Sequence, residues 1–419
     1  MKLLFITYDF YPNFSANSLI INNLSQAFIR MGHEVDILTL KSDNNNQDEE
    51  QWNDIRIHRI RETFDKNQVK EYINQHKLIH AIKLLSAILG DYFNHKEYLK
   101  NYWSYFSTIR LKEILEKKHI HAVINVCYPF ESCLPIIKYL KIYPKNFIWM
   151  IYMQDPFATN YYYINKYQMA DLMQFQTQVL QITDKVIVTA PIMREILADN
   201  SGINLNKFKV LNFPVVQKLR KTLVEEDIIF PKNYVNCVFV GRFNQETRNP
   251  RVLFQVFENL KRDHIRLHII GEDKERWSSY LSEGESNIFF YGSRSREVAI
   301  NAELNAHILI NLGNSIPNQL PSKTLEYIST GKPIVNLFKV ENCPSLEYLS
   351  RYPCCLNIFE SRIDRRTLDD LVYFCIRYRK VNIEYRIIRR RYYECTVEYV
   401  GNEFLTLCNE LHGINQQLI

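Results

Sequence analysis

The amino-acid sequence predicts an α/β protein of two domains, each a parallel sheet with helices between its strands. The 419 residues are too many for one ordinary hydrophobic core. Apolar runs of strand length alternate with apolar residues at helical spacing in both halves of the chain, as in parallel α/β sheets. Hydrophobic residues make up 46% of the chain and charged residues 23%, which is typical of globular proteins.

The first half of the chain opens with a predicted strand, helix and strand. Residues 2–7 and 34–40 are apolar runs, and Ile20 and Leu24 between them begin a helical spacing that Gly32 ends. The same patterns predict further strands at 55–60, 121–127, 147–153 and 185–190, and helices at 66–117, from 131 and at 165–182. We therefore expect about six strands in this half.

A charged segment flanked by prolines separates the two halves. Residues 214–234 contain Pro214, Pro231 and an acidic run, which predicts a linker. The second half then has predicted strands at 235–240, 266–270, 288–291, 307–312, 333–338 and 354–359, followed by a helix at 364–378. The expected domains are thus 1–213 and 235–380, with a basic helical tail at 381–419 that packs back on the N-terminal domain.

Composition argues against several other classes of protein. The sequence has no run of eighteen apolar residues, and its first apolar run is too short for a signal peptide. The nine cysteines show no Cys-x-x-Cys spacing, so we expect reduced thiols and a cytoplasmic protein. The loop 9–18 lacks the Gly-x-Gly-x-x-Gly fingerprint, which argues against a nicotinamide cofactor, and no histidine or Asp-x-Asp motif predicts a metal site.

Much of the net charge of +6 comes from one segment. Residues 377–391 contain seven arginines and lysines interleaved with tyrosine and isoleucine. Such a face fits an anionic membrane surface, which would place the protein peripherally on the inner face of the plasma membrane. It equally fits a solvated helix face balanced by Glu384, Glu394 and Glu398. No motif supports nucleic acid as a partner.

The most informative stretch is residues 311–335. It follows an apolar run, passes through a polar loop, begins a helix at Pro321-Ser322 and ends that helix at Gly331. Backbone N–H groups at such a helix start form an anion site, and Lys323 in the first turn favours a bound anion. Glu326, one turn later, can accept hydrogen bonds from sugar hydroxyls. The stretch therefore predicts a site for a sugar attached to phosphate.

A second loop carries two arginines. Gly241-Arg242 follows the strand 235–240, and Arg248 lies six residues after Arg242. Two guanidinium groups at this spacing can hold a diphosphate with paired hydrogen bonds, although two exposed loop arginines are the simpler interpretation. Because this loop and the 311–335 stretch both follow strands of one predicted sheet, they are expected at the same edge.

These residues resemble the GT-B glycosyltransferases of the large retaining bacterial group that includes capsule and exopolysaccharide enzymes (glycosyl transferases group 1, family 4-like). The resemblance covers nearly the whole chain. It rests on Lys2-Leu3-Leu4-Phe5-Ile6 through Tyr11-Pro12 to Met31-Gly32-His33-Glu34-Val35, on Gly241-Arg242 with Arg248 in place of the family's Lys, and on Pro321-Ser322-Lys323, Glu326-Tyr327 and Gly331-Lys332-Pro333.

The resemblance implies two Rossmann-like domains that face each other across a cleft, with a nucleotide-sugar donor held mainly by the second. Arg242 and Arg248 match the diphosphate clamp, with Gly241 beside them. Ser322 and Lys323 match the helix start that meets phosphate, and Glu326 matches the carboxylate that binds the ribose.

On the acceptor side the resemblance is looser. Asp155 falls near the position where the family often has a His or a His-Asp pair beside the reacting sugar. A loop near the donor phosphate and acceptor, glycine-rich in the family, is replaced here by Asn13, Ser15, Ala16 and Asn17. Asn318 stands where many members have the first carboxylate of Glu-x7-Glu, and an amide can bind a sugar hydroxyl but cannot act as a base. The expected reaction needs neither a protein nucleophile nor a metal, and no cofactor besides the nucleotide-sugar substrate.

The function that follows is transfer of a hexose-type sugar from a nucleotide-diphosphate-sugar to a glycan or lipid-linked acceptor, in cell-surface polysaccharide synthesis. Two alternatives remain open. One is a nucleotide-sugar 2-epimerase of the same architecture. The other is a non-catalytic protein that binds sugar nucleotides or a membrane surface. Asn318 and the basic tail are the features that motivate this alternative.

Overall fold

The computed structural model describes residues 1–12, 14–41, 47–61, 102–127, 129–199, 203–282 and 286–417. The chain divides into two compact units. Unit 1 comprises Met1–Pro214 and Val397–Ile419, and unit 2 comprises Val215–Thr396. Each unit contains one sheet that is wholly or mainly parallel, with helices between its strands. The predicted fold class, two Rossmann-like α/β bodies, is confirmed.

Unit 1 is built on a sheet of eight strands in the described residues. The strands are β1 Lys2–Ile6, β2 Glu34–Leu40, β3 Glu49–Trp52, β4 Ile55–Ile60, β5 Ala122–Cys127, β6 Ile148–Met153, β7 Lys185–Val188 and β8 Phe208–Val210, in the order β3-β4-β2-β1-β5-β6-β7-β8. The α-helices are α1 Ala16–Arg30, α2 Tyr102–Lys117, α3 Leu134–Leu140, α4 Tyr161–Ile164, α5 Met169–Ile182 and α6 Ala190–Asp199.

Several predictions for unit 1 were wrong in detail. Strand β3 was missed because its residues, Glu-Glu-Gln-Trp, have no apolar run; it pairs antiparallel with β4 at the sheet edge. Strand β8 was missed because it has only three residues. The predicted strand 185–190 ends at Val188, since Ala190 already begins α6. Of the predicted helix 66–117, residues 66–101 lie outside the described residues, and α2 confirms the remainder.

Unit 2 is built on a six-stranded parallel sheet. Its strands are β9 Val235–Val240, β10 Ile265–Ile270, β11 Ile288–Phe290, β12 Ile308–Leu312, β13 Ile334–Phe338 and β14 Cys355–Phe359, in the order β11-β10-β9-β12-β13-β14. Its α-helices are α7 Arg251–Asn259, α8 Lys274–Trp277, α9 Arg296–Asn305, α10 Ser322–Thr330, α11 Pro344–Leu349, α12 Arg365–Tyr378 and α13 Tyr385–Arg391.

The C-terminal tail is divided between the units. Helix α13 belongs to unit 2, whereas α14 Val397–Gln417 belongs to unit 1. In unit 1, the Phe404 ring of α14 contacts the rings of Phe28 and Tyr152 at centroid distances of 6.3 and 5.2 Å. Glu403 pairs with Lys209 at 2.7 Å. The last helix therefore completes the core of unit 1.

A row of hydrogen-bonded amides links the N-terminus of α10 to the sheet of unit 2. Asn311, Asn336 and Asn357 occupy paired positions on β12, β13 and β14. Asn311 Nδ2 donates to Asn336 Oδ1, and Asn336 Nδ2 donates to Asn357 Oδ1, both at 2.8 Å. Thr324 in the first turn of α10 donates to Asn311 Oδ1 at 3.1 Å. Asn311, Asn336 and Thr324 are buried, and buried polar groups are costly unless paired, so these bonds hold α10 in one position.

Candidate functional site

Two loops meet at the carboxyl end of the unit 2 sheet. The first, residues 241–250, follows β9, and the second, residues 313–321, follows β12, which pairs with β9. Arg248 Nε donates to Asn314 Oδ1 at 2.9 Å, and Ser315 N donates to Thr247 O at 2.8 Å. The two sequence stretches that the motifs singled out are therefore in direct contact, at the edge where open α/β sheets bind ligands.

Close backbone approach requires glycine just after β10, beside the start of the first loop. Gly241 has φ of +148°. A Cβ on Gly271, at the end of β10, would lie 2.6 Å from Gly241 O. The buried carboxylate of Glu272 anchors the first loop. It accepts hydrogen bonds from Phe243 N at 2.5 Å and from Trp277 Nε1 at 2.9 Å. Backbone packing and a buried acceptor thus fix where this loop leaves the sheet.

The two arginines of this loop differ in how they are held. Arg248 is half-buried, and its guanidinium is oriented by Asn314. Arg242 is exposed, and no hydrogen bond or ion pair joins its side chain to the described residues. Arg242 is therefore available to a ligand, whereas Arg248 is already positioned beside the second loop.

Helix α10 presents its N-terminus at the same edge. Pro321 is its N-cap and provides no side-chain hydrogen bond, so the first N–H groups of the helix have no cap from that residue. Ser322 lies half-buried in the first turn. The helix is anchored to the sheet by Tyr327, whose hydroxyl accepts a hydrogen bond from Val240 N at 2.8 Å. A helix start of this kind favours an anion through its N–H groups and dipole.

Lys323 and Glu326 belong to a buried cluster of four charged side chains. Lys323 Nζ contacts Glu303 Oε1 at 2.7 Å and also contacts Glu326 Oε1. Arg296 Nη2 lies 3.1 Å from Glu326 Oε2. The carboxylate side chains are 0% exposed for Glu303 and 4% for Glu326, whereas the two cations are 25–30% exposed. The cations therefore lie on the solvent side of the cluster and the acids behind them.

The two acids of this cluster have widely separated pKa values. Burial alone would raise the pKa of Glu326, but Lys323 and Arg296 outweigh that effect and hold the pKa at about 2. Burial raises the pKa of Glu303 to about 8, although Lys323 opposes the shift. Glu326 is thus ionised and engaged by two cations in this structure, and its contact with a ribose stays a prediction.

A further cation lies beside the first loop. Lys339 follows β13, and its Nζ donates to Asn249 O at 2.9 Å and lies 3.9 Å from Glu360 Oε2. Burial, and secondarily the nearby Arg248, lowers the pKa of Lys339. Burial likewise raises the pKa of Glu360 to about 7. Sequence reasoning missed this residue, although a lysine directly after a predicted strand is a signal that could have found it.

The acceptor-side candidates lie in unit 1. Asp155 is half-buried, two residues after β6. The loop that contains it is held by Ala158 N, which donates to Gln176 Oε1 at 3.2 Å, and by a hydrogen bond from Thr159 Oγ1 to Glu195. That anchoring gives Asp155 a defined position at the carboxyl end of the first sheet.

The predicted loop of unit 1 leads directly into α1. Ser15 is the N-cap of this helix, and its hydroxyl accepts from Ser18 N at 3.2 Å while Ser15 N donates to Ser18 Oγ at 2.7 Å. Ala16 and Asn17 form the first turn of α1. Asn13 lies outside the described residues. Ser15 is thus used in a capping box, a role that its sequence position alone did not indicate.

Neither a metal site nor a membrane-spanning helix is found among the described residues. No group of three His, Cys, Asp or Glu side chains within the described ranges is arranged to hold a metal ion. The expectation of a metal-independent reaction stays a prediction. Among the helices of the described part of the chain, none combines the length and the apolar character needed to span a bilayer.

Comparison with known proteins points to one class of enzyme. Residues 235–345, which include both loops and α10, match the family described as glycosyl transferases group 1. No curated protein matches the sequence significantly. The matched domain and the fold together support a glycosyltransferase, the enzyme class that the sequence predicted.

Solved structures share the fold over almost the full chain. A glycosyltransferase from Rickettsia africae is 12% identical, with a TM-score of 0.62 and coverage of 98% of both chains. An E. coli trehalose-6-phosphate structure bound with UDP-2-fluoro glucose is 12% identical, with a TM-score of 0.58 and coverage of 97% and 99%. WaaG, a glycosyltransferase involved in lipopolysaccharide biosynthesis, is 12% identical, with a TM-score of 0.58 and coverage of 96% and 98%. Identities this low establish the fold alone.

Proposed function

We propose that the protein transfers a hexose-type sugar from a nucleotide-diphosphate-sugar to a glycan or lipid-linked acceptor, in the synthesis of a cell-surface polysaccharide. The observation that carries this proposal is the contact between the two loops at the carboxyl end of β9 and β12. That contact brings Arg248 beside the loop that leads into α10, and the two segments also carry Arg242 and Lys323. Three cations and a helix N-terminus are suited to a diphosphate, the leaving group of such a donor.

The chemistry that we propose depends on stabilising that leaving group. As the bond between the sugar and the diphosphate breaks, negative charge grows on the diphosphate oxygens, and preorganised cations lower the energy of that charge. Arg248 is preorganised by Asn314, and Lys323 by its two carboxylates. The acceptor hydroxyl attacks the anomeric carbon from the face that the diphosphate leaves and gives its proton to a departing diphosphate oxygen. The sugar therefore keeps its anomeric configuration, and no protein nucleophile is required. Asp155 and the segment 13–17 supply the acceptor-side contacts.

The solved relatives agree with the proposed substrates. The E. coli trehalose-6-phosphate structure holds UDP-2-fluoro glucose, an analogue of a nucleotide-diphosphate-sugar. WaaG is a glycosyltransferase involved in lipopolysaccharide biosynthesis. In this proposal the protein works in the cytoplasm, with the basic segment 377–391 resting on the inner face of the plasma membrane.

Replacing Arg242 tests the diphosphate site. Arg242→Ala is expected to weaken donor binding roughly tenfold or more, through loss of charge-assisted hydrogen bonds to the diphosphate. It should not lower stability, because the exposed guanidinium makes no hydrogen bond or ion pair with the described residues. The measurement is titration calorimetry, with the best nucleotide sugar from a thermal-shift panel. Arg379→Ala is the matched control, because Arg379 lines a separate cavity of about 470 Å³ with Tyr234 and Val235 at the amino end of β9. If Arg242→Ala binds the nucleotide sugar as tightly as wild type does, the proposed diphosphate site is wrong.

Asn318 favours a second candidate, a non-catalytic protein that binds sugar nucleotides. Its side chain lies half-buried in the second loop and cannot supply a carboxylate there. Donor binding without release of nucleoside diphosphate, across a panel of donors and acceptor extracts, would support this candidate. Formation of an epimer without an acceptor would instead identify a nucleotide-sugar 2-epimerase.

A further inference from the structure

We propose that Glu303 is a positioning residue that sets the charge with which Lys323 meets an anionic ligand, so that proton binding at Glu303 and diphosphate binding reinforce each other. The inference rests on the proposed function, because it takes the ligand of the α10 N-terminus to be the diphosphate of a donor. Neither the motifs nor the family resemblance singled out Glu303, which lies on α9, twenty residues before Lys323.

The geometry places Glu303 directly behind the ammonium group. Its side chain is 0% exposed, and its Oε1 lies 2.7 Å from Lys323 Nζ. Its second oxygen, Oε2, is buried and has no hydrogen-bond partner among the described residues. Glu326 contacts the same ammonium group and also pairs with Arg296. A carboxyl group with one unpartnered oxygen and no access to water is expensive to ionise.

The surroundings of Glu303 contain few other charges. Helix α10 contributes Lys323, Glu326 and the hydroxyl of Tyr327, and α9 itself contributes Arg296 through Glu326. Strand β9, which packs on α9, has Cys237, whose sulfur contacts Cys375. Asp227, from the segment before β9, contacts Asn301 rather than Glu303, at 3.4 Å.

The net charge of the cluster therefore changes with the state of Glu303. With Glu303 protonated, Lys323 and Arg296 exceed the single charge of Glu326 by one positive charge. With Glu303 ionised, the cluster is neutral. Burial raises the pKa of Glu303 to about 8, so the cationic state predominates at pH 7 and the neutral state at pH 9. An anion near Lys323 stabilises the cationic state, and its binding is linked to uptake of a proton in that range.

The test compares wild type with Glu303→Gln by titrating a nucleoside diphosphate into each at pH 7 and pH 9. Wild type is expected to lose roughly fivefold more affinity than Glu303→Gln over this interval, since one charge is lost from the site. Ionisation of the ligand itself cancels in this comparison. Glu297→Gln is the control, because it removes a carboxylate from an exposed position of the same helix and should keep the wild-type dependence on pH.

A second measurement needs no variant. Calorimetry of wild type at pH 8, in two buffers with different ionisation enthalpies, should show net proton uptake on binding. Equal pH dependence in wild type and Glu303→Gln, or binding without proton uptake, would overturn the role of Glu303 and leave the donor site intact. Absence of nucleotide binding at every pH would instead overturn the proposed function together with this inference.

Discussion

At the scale of single residues, the candidate site depends on a lysine shared by two acids. Lys323 contacts Glu303 and Glu326, whose side chains are almost completely withdrawn from water. A buried carboxylate loses most of its hydration, so it needs a close cation to be tolerated. The ammonium that we propose to meet the ligand is thus also the one that pairs with these buried acids. Function and stability are coupled at this position.

Removal of that lysine should therefore destabilise unit 2. We expect Lys323→Ala to lower the free energy of unfolding by about 3 kcal/mol at pH 7, because Glu326 loses one of its two cationic partners and keeps Arg296. Urea denaturation measures the change. At pH 9, where Glu303 is ionised in wild type, adding Glu303→Gln to Lys323→Ala should recover part of the loss, because it removes a buried carboxyl group that has lost its cation. Lys232→Ala, at an exposed position before β9, is the control. A loss below about 0.5 kcal/mol would contradict a structural role for Lys323.

At the scale of elements, the strands and the positions of the two loops could be predicted from the sequence. The side chains that contact Lys323 and Glu326 from another helix could not. The apolar runs before Gly241 and Gly313 predicted β9 and β12, and the strand-end rule put both loops at one edge, which the structure confirms. Glu303 and Arg296 come from α9, whose sequence carries no motif. Their relation to Lys323 depends on how α9 packs against α10, and local patterns do not encode such packing.

Helix α10 ends at a glycine that another segment closely covers. Gly331 has φ of +77°, and a Cβ there would lie 2.3 Å from Ile383 O. Gly331→Ala should therefore lower stability by about 2 kcal/mol or more, through strain and displacement of the 381–384 segment. Gly413→Ala is a control of opposite sign, since its Cβ meets no atom of the described residues within 4 Å and alanine favours the helix α14 by about 0.5–1 kcal/mol. Thermal unfolding monitored by circular dichroism measures both, and equal stability of Gly331→Ala and wild type would contradict the role of Gly331.

At the scale of the whole molecule, charge is unevenly distributed. The net charge is only +6, yet α13 alone presents Arg386, Arg389 and Arg390 as exposed side chains. Ile387 on the same helix and Tyr393 just after it are each 45% exposed. Exposed cations next to exposed apolar groups suit the boundary between lipid headgroups and acyl chains, but single apolar side chains are also common on a solvated face.

Vesicle flotation separates these two interpretations. Each arginine close to an anionic surface contributes about 1 kcal/mol, so Arg386→Gln with Arg390→Gln should weaken binding to phosphatidylglycerol-containing vesicles roughly thirtyfold at low salt. Binding should also fall as salt rises, because screening shortens the reach of the surface potential. The control is Arg365→Gln with Arg366→Gln, an exposed pair at the start of α12. If wild type does not float with anionic vesicles at low salt, the arginines of α13 form a solvated face, and the proposed membrane contact is wrong.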